Sequence, residues 1–106
     1  MADAPDVSVV PDAPGERRVA RIDALLRAAL APVHLEIKDE SHRHRGHAGA
    51  ADGRGHFRVE IVSPTFTGKS RLARHRLLYD ALDAELKSDI HALAIHAFTP
   101  EEWAAR

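Results

Sequence analysis

The sequence predicts a single α+β domain in which two helices cover one face of a three-stranded mixed sheet. Two long segments carry apolar residues at the helical steps of three and four. Three shorter segments alternate apolar with polar residues, which is typical of strands buried on one face. The length of 106 residues suits one modest hydrophobic core.

The chain is predicted to begin with a disordered tail over residues 1–14, which holds three prolines and three aspartates, ahead of a domain over residues 15–106. The first helix is expected over about 15–31, because Pro32 cannot continue it. Its apolar stripe is Val19, Ile22, Leu26 and Ala29. A second helix is expected over about 70–87. Its stripe is Leu72, His75, Tyr79, Leu82 and Leu86, with Leu78 beside it.

Three strands are predicted from alternating burial. The first directs Val33, Leu35 and Ile37 inward. The second directs Phe57, Val59 and Ile61 inward, and His56, Arg58 and Glu60 outward. The third, over 90–98, carries His91, Leu93, Ile95 and Ala97 on one parity. The first two are expected to pair antiparallel across a glycine-rich loop, and the helical crossover is expected to make the third parallel to its neighbour.

The third strand is followed by a predicted short last helix. Thr99, Pro100 and Glu102 have the spacing of an N-cap, a first-turn proline and a capping box. The predicted order is therefore helix, strand, strand, helix, strand, short helix. The expected core is Ile22, Leu26, Leu35, Val59, Ile61, Leu82 and Leu93.

The composition excludes several function classes. The chain has no cysteine, which rules out disulfides, thiol catalysis and a metal site built on its own thiolates. It has no apolar run of membrane-spanning length, and its acidic start is unlike a secretory or transit signal, so a cytoplasmic location is expected. We find no nucleophile motif and expect no enzymatic activity. Eight histidines in so short a chain are the unusual feature.

The segment from Ser41 to Arg76 is strongly basic, with eight arginines and lysines against two acids, although the whole chain has a formal charge of −1. This asymmetry favours a negative partner, such as nucleic acid or a carboxylate-bearing surface. A turn that leads into a basic helix resembles the entry of a helix-turn-helix or KH module. The candidate binding residues are Phe66, Gly68, Lys69, Arg71, Arg74 and Arg76. The alternative is a solvated helix face.

An ordered set of short motifs resembles the BolA family over about Glu16 to Trp103. The set comprises Asp39-Glu40-Ser41, His44, Gly46-His47, His56-Phe57, Val62-Ser63, Phe66, Gly68, Arg74-His75-Arg76, Tyr79, Glu85-Leu86, His91-Ala92-Leu93 and Thr99-Pro100-Glu101. The sequence departs from the family pattern at Gly55, where Thr or Ser often precedes His-Phe, and we expect a looser strand start there.

The resemblance implies a fold like the type II KH domain and a monothiol glutaredoxin as partner. It also implies a [2Fe–2S] cluster shared with glutaredoxin and glutathione, with none bound by this chain alone. The positions that match the family's ligands are His47 and His91. The free chain is expected to be a monomer and the complex a heterodimer.

Each histidine also has a plainer interpretation. His91 shares the parity of Leu93 and could be a core residue. His47 lies in a segment that its glycines predict to be a flexible loop, where His42 and His44 could replace it, or where all three could bind a divalent metal. His75 lies on an apolar stripe and is more simply a half-buried histidine than a third ligand. A transcription regulator that binds DNA through the basic face is the alternative to the glutaredoxin adaptor.

Overall fold

A computed structural model of the protein describes residues 14–41 and 55–106. The predicted tail, apart from Pro14, and the histidine-bearing loop over 42–54 lie outside the described residues. The elements, in chain order, are α1 (Pro14–Leu30), β1 (His34–Asp39), β2 (Gly55–Val62), a 3-10 turn (Pro64–Phe66), α2 (Arg71–Ala81), α3 (Asp83–Ser88), β3 (Ile90–Phe98) and α4 (Pro100–Ala105). The predicted order is confirmed, with the second helix divided in two.

The sheet has three strands in the order β1-β2-β3. β1 pairs antiparallel with β2, and β3 pairs parallel with β2, as predicted. The mixed sheet follows from the connections, because a loop can reverse the chain whereas a helical crossover returns it in the same direction.

The core lies between one face of the sheet and the helices α1 and α2. Of the predicted core, Ile22, Leu26, Val59, Ile61 and Leu82 are completely buried. Leu35 and Leu93 are half-buried and pack against this cluster. Complete burial of such side chains stabilises the fold by roughly 1.5–3 kcal/mol each. The predicted α+β architecture, with helices on one face, is confirmed.

Several positions of the predicted stripes were wrong. Ala29 is exposed, and Leu30 is buried in its place at the end of α1. Leu72 is 61% exposed and Tyr79 is 43% exposed, because α2 directs the line of Leu78 and Leu82 at the core. The helix is interrupted at Leu82, where φ is −106° and ψ is 17°.

The first strand also begins one residue later than its predicted apolar pattern. Val33 precedes β1 and is 67% exposed.

The short helix α4 begins as predicted. The Thr99 hydroxyl accepts a hydrogen bond from the Glu102 N–H at 3.1 Å, and the Glu102 carboxylate accepts one from the Thr99 N–H at 2.9 Å. This capping box satisfies backbone groups at both ends of the first turn. Trp103 of α4 stacks on His34, whose side chain alternates with the core-packed Leu35, and so lies on the sheet face opposite α1 and α2, which we call the open face.

Candidate functional site

His91 lies on an irregularity at the start of β3. Gly55 pairs with Ile90, but His56 pairs with Ala92, so β3 has one extra residue at His91. A bulge of this kind shifts the alternation of the strand and re-aims the side chain that it carries. Ile90 is buried and His91 is exposed. The alternative that His91 is a core histidine was therefore wrong.

His56 is the close neighbour of His91. The two ring centroids are 5.1 Å apart and the rings are tilted by 51°. His56 is only 7% exposed, so its predicted place on a wet face was wrong, and both of its ring nitrogens are buried. The alternation of apolar and polar residues along β2 identified the sheet face on which His56 lies. It could not show that other groups cover the His56 side chain there. The sequence pattern therefore missed His56 as a component of this site.

The ends of the loop over 42–54 are held together beside His91. The Ser41 hydroxyl accepts a hydrogen bond from the His56 N–H at 3.0 Å. The Gly55 N–H donates to the Asp89 carbonyl oxygen at 2.8 Å, two residues before His91. The chain therefore leaves the described residues beside His56, the neighbour of His91, and re-enters them at Gly55, beside the start of β3. Its histidines, His42, His44 and His47, lie outside the described residues.

Gly55 is closely surrounded at this point. A Cβ atom there would lie 2.5 Å from Cε2 of Phe57 and 3.1 Å from the Ser41 hydroxyl oxygen. Phe57 is 2% exposed and has little room to move. The glycine thus makes space for the buried phenyl ring, which the expectation of a looser strand start did not anticipate.

His75 lies on α2 and is half-buried. Its pKa is lowered from 6.5, first by burial and then by the positive charges of Arg71 and His96. Its partial burial on α2 agrees with a structural role.

The candidate basic residues have different surroundings. Lys69, Arg71 and Arg76 are exposed, and Gly68 is an exposed turn residue with φ of 78°. Phe66 is completely buried and contributes to the core.

Arg74 differs from the other basic residues because its side chain is only 13% exposed. Its guanidinium donates two hydrogen bonds to the Glu102 carboxylate, at 2.6 and 3.1 Å, one to the Ala97 carbonyl oxygen at 3.2 Å and one to the Lys69 carbonyl oxygen at 2.9 Å. The cationic surface available to a partner is therefore formed by its neighbours.

The fold and the site together define a small α+β domain that presents one histidine on a strand bulge, beside the ends of a histidine-rich loop. The family model described as BolA-like protein matches residues 26–102. The chain belongs to the BolA family.

Relatives and solved structures agree with this assignment. The DNA-binding transcriptional regulator BolA of Escherichia coli is 49% identical over 83 residues, which cover 78% of this chain and 76% of the relative. BolA-like protein 1 of Mus musculus is 50% identical over 79% of this chain and 59% of its own length. The solution structure of mouse BolA1 matches with a TM-score of 0.68 at 49% identity, covering 81% of this chain and 68% of that one.

A third relative carries the domain within a larger protein. SufE-like protein 1, chloroplastic/mitochondrial, of Arabidopsis thaliana is 52% identical over 80% of this chain, but the match spans only 24% of the relative. The BolA domain of that SufE1 matches with a TM-score of 0.71 at 48% identity, covering 80% of this chain and 94% of that one. None of the helices in the described part of the chain has the length and apolar character of a bilayer span.

Proposed function

We propose that this chain is a non-enzymatic adaptor that binds a monothiol glutaredoxin and contributes histidines to a shared [2Fe–2S] cluster. The observation that carries the proposal is the exposed position of His91 on a bulge, next to the start of β2, where both ends of the histidine-rich loop are held. An imidazole that projects from a strand start is accessible to an ion held by another protein. The adaptor acts in iron–sulfur cluster assembly, cluster trafficking or iron signalling in the cytoplasm.

The ligand chemistry agrees with a cluster that is shared. A [2Fe–2S] cluster needs four terminal ligands, and neutral imidazoles can replace two thiolates on one iron. A chain without cysteine cannot supply the usual set. In this proposal His91 and His47 supply the imidazoles, while the glutaredoxin cysteine and glutathione supply the thiolates. His44 and His42 are the substitutes within the loop, and His75 is the least favoured ligand.

The charged surface supports a negative partner. Lys69, Arg71 and Arg76 are exposed on one helix and its entry turn, where they can meet glutathione carboxylates or an acidic protein face. The relative named SufE-like protein 1 supports a role in iron–sulfur biology. The free chain is proposed to be a monomer, and the complex a heterodimer.

A second candidate function is regulation of transcription. It is favoured by the name of the Escherichia coli relative, a DNA-binding transcriptional regulator. The same exposed cations, Lys69, Arg71 and Arg76, would contact phosphates, which gives affinity without base recognition. The two functions share these cations, but only the adaptor needs His91, so mutation of His91 separates them.

The test is co-reconstitution of the chain with a monothiol glutaredoxin, glutathione, ferrous iron and sulfide, followed by visible absorbance and circular dichroism. We expect a spectrum that differs from that of glutaredoxin with glutathione alone, at one cluster per heterodimer. A spectrum unchanged by adding this chain, together with salt-dependent duplex DNA binding by the chain alone, would favour the regulator instead.

A further inference from the structure

A second group of potential metal ligands lies on the open face, away from His91. His34 on β1, Glu36 on β1 and Glu60 on β2 each offer one ligand atom, and these atoms all lie within 4.8 Å of one another. The group is separated from the end of the sheet that holds His91 by four residue steps along β2, from His56 to Glu60, or about 13 Å at the rise of an extended strand.

The register of the sheet brings the two carboxylates together. Glu36 and Glu60 are direct partners across the antiparallel β1–β2 pair. Like charges in this position are unfavourable unless a positive group compensates for them. The Glu60 carboxylate lies 3.0 Å from His34 Nε2, and both side chains are about one-third exposed. The arrangement concentrates negative charge at the point where the imidazole nitrogen is presented.

The ring of His34 is held in place by the only tryptophan of the chain. Trp103 stacks on His34 with ring centroids 4.7 Å apart and planes 21° from parallel. Trp103 also contacts Phe98, with ring centroids 5.4 Å apart, and the capping box of α4 positions it. An imidazole that is already oriented loses less conformational entropy when it binds an ion.

The surroundings leave room for an ion and for its water ligands. A depression of about 140 Å³ adjoins the group and is lined by Glu36, Lys38, Arg58, Glu60, His96 and Phe98. Two of these residues are cations that oppose a metal ion. Arg58 forms an ion pair with Glu40, with Nε and Oε2 3.3 Å apart. Lys38 is exposed, and its long side chain can rotate away from the ion.

We propose that His34, Glu36 and Glu60 form a binding site for one divalent transition-metal ion of the zinc type. One imidazole and two carboxylates match the nitrogen and oxygen ligands that Zn²⁺ accepts, and the two carboxylates balance its charge. Bond lengths of about 2.0–2.2 Å place tetrahedral ligand atoms roughly 3.4 Å apart, which side-chain rotation reaches from the present spacing. Water completes the coordination. This site is independent of the proposed cluster function.

Trp103 provides a local reporter for the test. The full chain is titrated with Co²⁺ alone, which has Zn²⁺-like coordination and quenches nearby tryptophan fluorescence. We expect saturable quenching with one ion per chain, reversed by Zn²⁺, with a visible Co²⁺ absorption band. Glu36→Gln and Glu60→Gln should each weaken Co²⁺ binding by at least about tenfold. Glu36 is exposed, so its substitution should not disturb folding.

The controls share chemistry with the site but lie outside the ligand group. His96→Gln alters the histidine that lines the depression, and Glu101→Gln alters a carboxylate close to Trp103 in sequence. Both should retain wild-type Co²⁺ binding, as should a variant with His42, His44 and His47 all changed to Gln. Quenching that persists in both Glu36→Gln and Glu60→Gln, or that disappears only in the loop variant, would overturn the proposal.

Discussion

Arg74 and Glu102 form a bidentate ion pair that attaches α4 to the rest of the domain. Nη1 of Arg74 lies 2.6 Å from Oε1 of Glu102, and Nη2 lies 3.1 Å from Oε2. The same Nη1 donates to the Ala97 carbonyl oxygen of β3, so one guanidinium joins α2, β3 and α4. Bidentate pairs of this kind hold both partners in a defined orientation. Arg74 is thereby a structural cation within an otherwise exposed basic segment.

This ion pair predicts an acid-dependent attachment of α4. The pKa of Glu102 is lowered to about 2, first by the hydrogen bond from Arg74 and then by that from the Thr99 backbone. A folded-state pKa below the ordinary 4.5 means that the stabilisation is complete above that pH and is lost as the pH falls towards 2. Arg74→Met should move the Glu102 titration back towards 4.5, as followed by carboxyl-carbon NMR.

Glu101→Gln is the matched control for this titration, because it removes the neighbouring carboxylate of the same helical turn and should leave Glu102 unchanged. Trp103 fluorescence reports whether α4 detaches as Glu102 is protonated. A Glu102 midpoint that is the same with and without the Arg74 guanidinium would contradict the assigned cause.

The position of Ile61 predicts a large effect on stability. Ile61 is completely buried near the end of β2, the middle strand of the sheet, so Ile61→Ala should lower the free energy of unfolding by roughly 2–5 kcal/mol through lost burial and a residual cavity. Val33→Ala removes a similar side chain that is 67% exposed and should change the free energy by less than about 0.5 kcal/mol. Urea denaturation measures both. Equal effects from the two substitutions would disprove the observed burial.

His91 and the loop histidines should respond differently to mutation. His91→Ala should abolish the mixed cluster and leave only the form held by glutaredoxin and glutathione, because the strand backbone holds His91 and the adjacent His56 is buried, at 7% exposed. His47→Ala should weaken the cluster less, since His44 or His42, only a few residues away in the chain, can take its place. Visible circular dichroism during co-reconstitution distinguishes the forms.

His96→Ala is the control for His91, because it removes an exposed histidine from the same strand. It should leave the cluster spectrum unchanged. A wild-type spectrum from the His91→Ala protein would remove His91 from the ligand set and, with it, the main support for the adaptor function.

The basic face makes a separate prediction for DNA binding. If the chain binds duplex DNA, Arg71→Gln should weaken binding about equally for all sequences, because phosphate contacts carry no base information. The slope of log affinity against log salt should decrease by about one. Arg74→Gln is the comparison, and the slope should stay unchanged, because that guanidinium is bound internally. Binding that is insensitive to salt and to Arg71→Gln would leave the regulator function without support.

Much of this fold could be predicted from local patterns. Alternation in the three strands identified Val59 and Ile61 as core residues, and helical spacing identified Ile22 and Leu26. The Thr99–Glu102 capping box could be predicted from the sequence because both partners lie within four residues of the chain. The ordered motifs indicated the family and named His91. These features depend on interactions between residues close in the chain, or on a pattern of apolar and polar residues that repeats within one helix or strand.

The arrangement of the candidate site depends instead on how separate elements meet. Alternation placed His91 with Leu93, but the pairing of β2 with β3 introduces one extra residue and turns the imidazole outward. Helical spacing predicted that Arg74 would be exposed on the basic face of α2, but the carboxylate of Glu102, 28 residues later, binds its guanidinium. Glu36 and Glu60 meet only through the strand register. The sequence determined the elements and their order, because hydrophobic periodicity is local. Register and side-chain partners were settled only on folding, because both are set by contacts between residues distant in the chain.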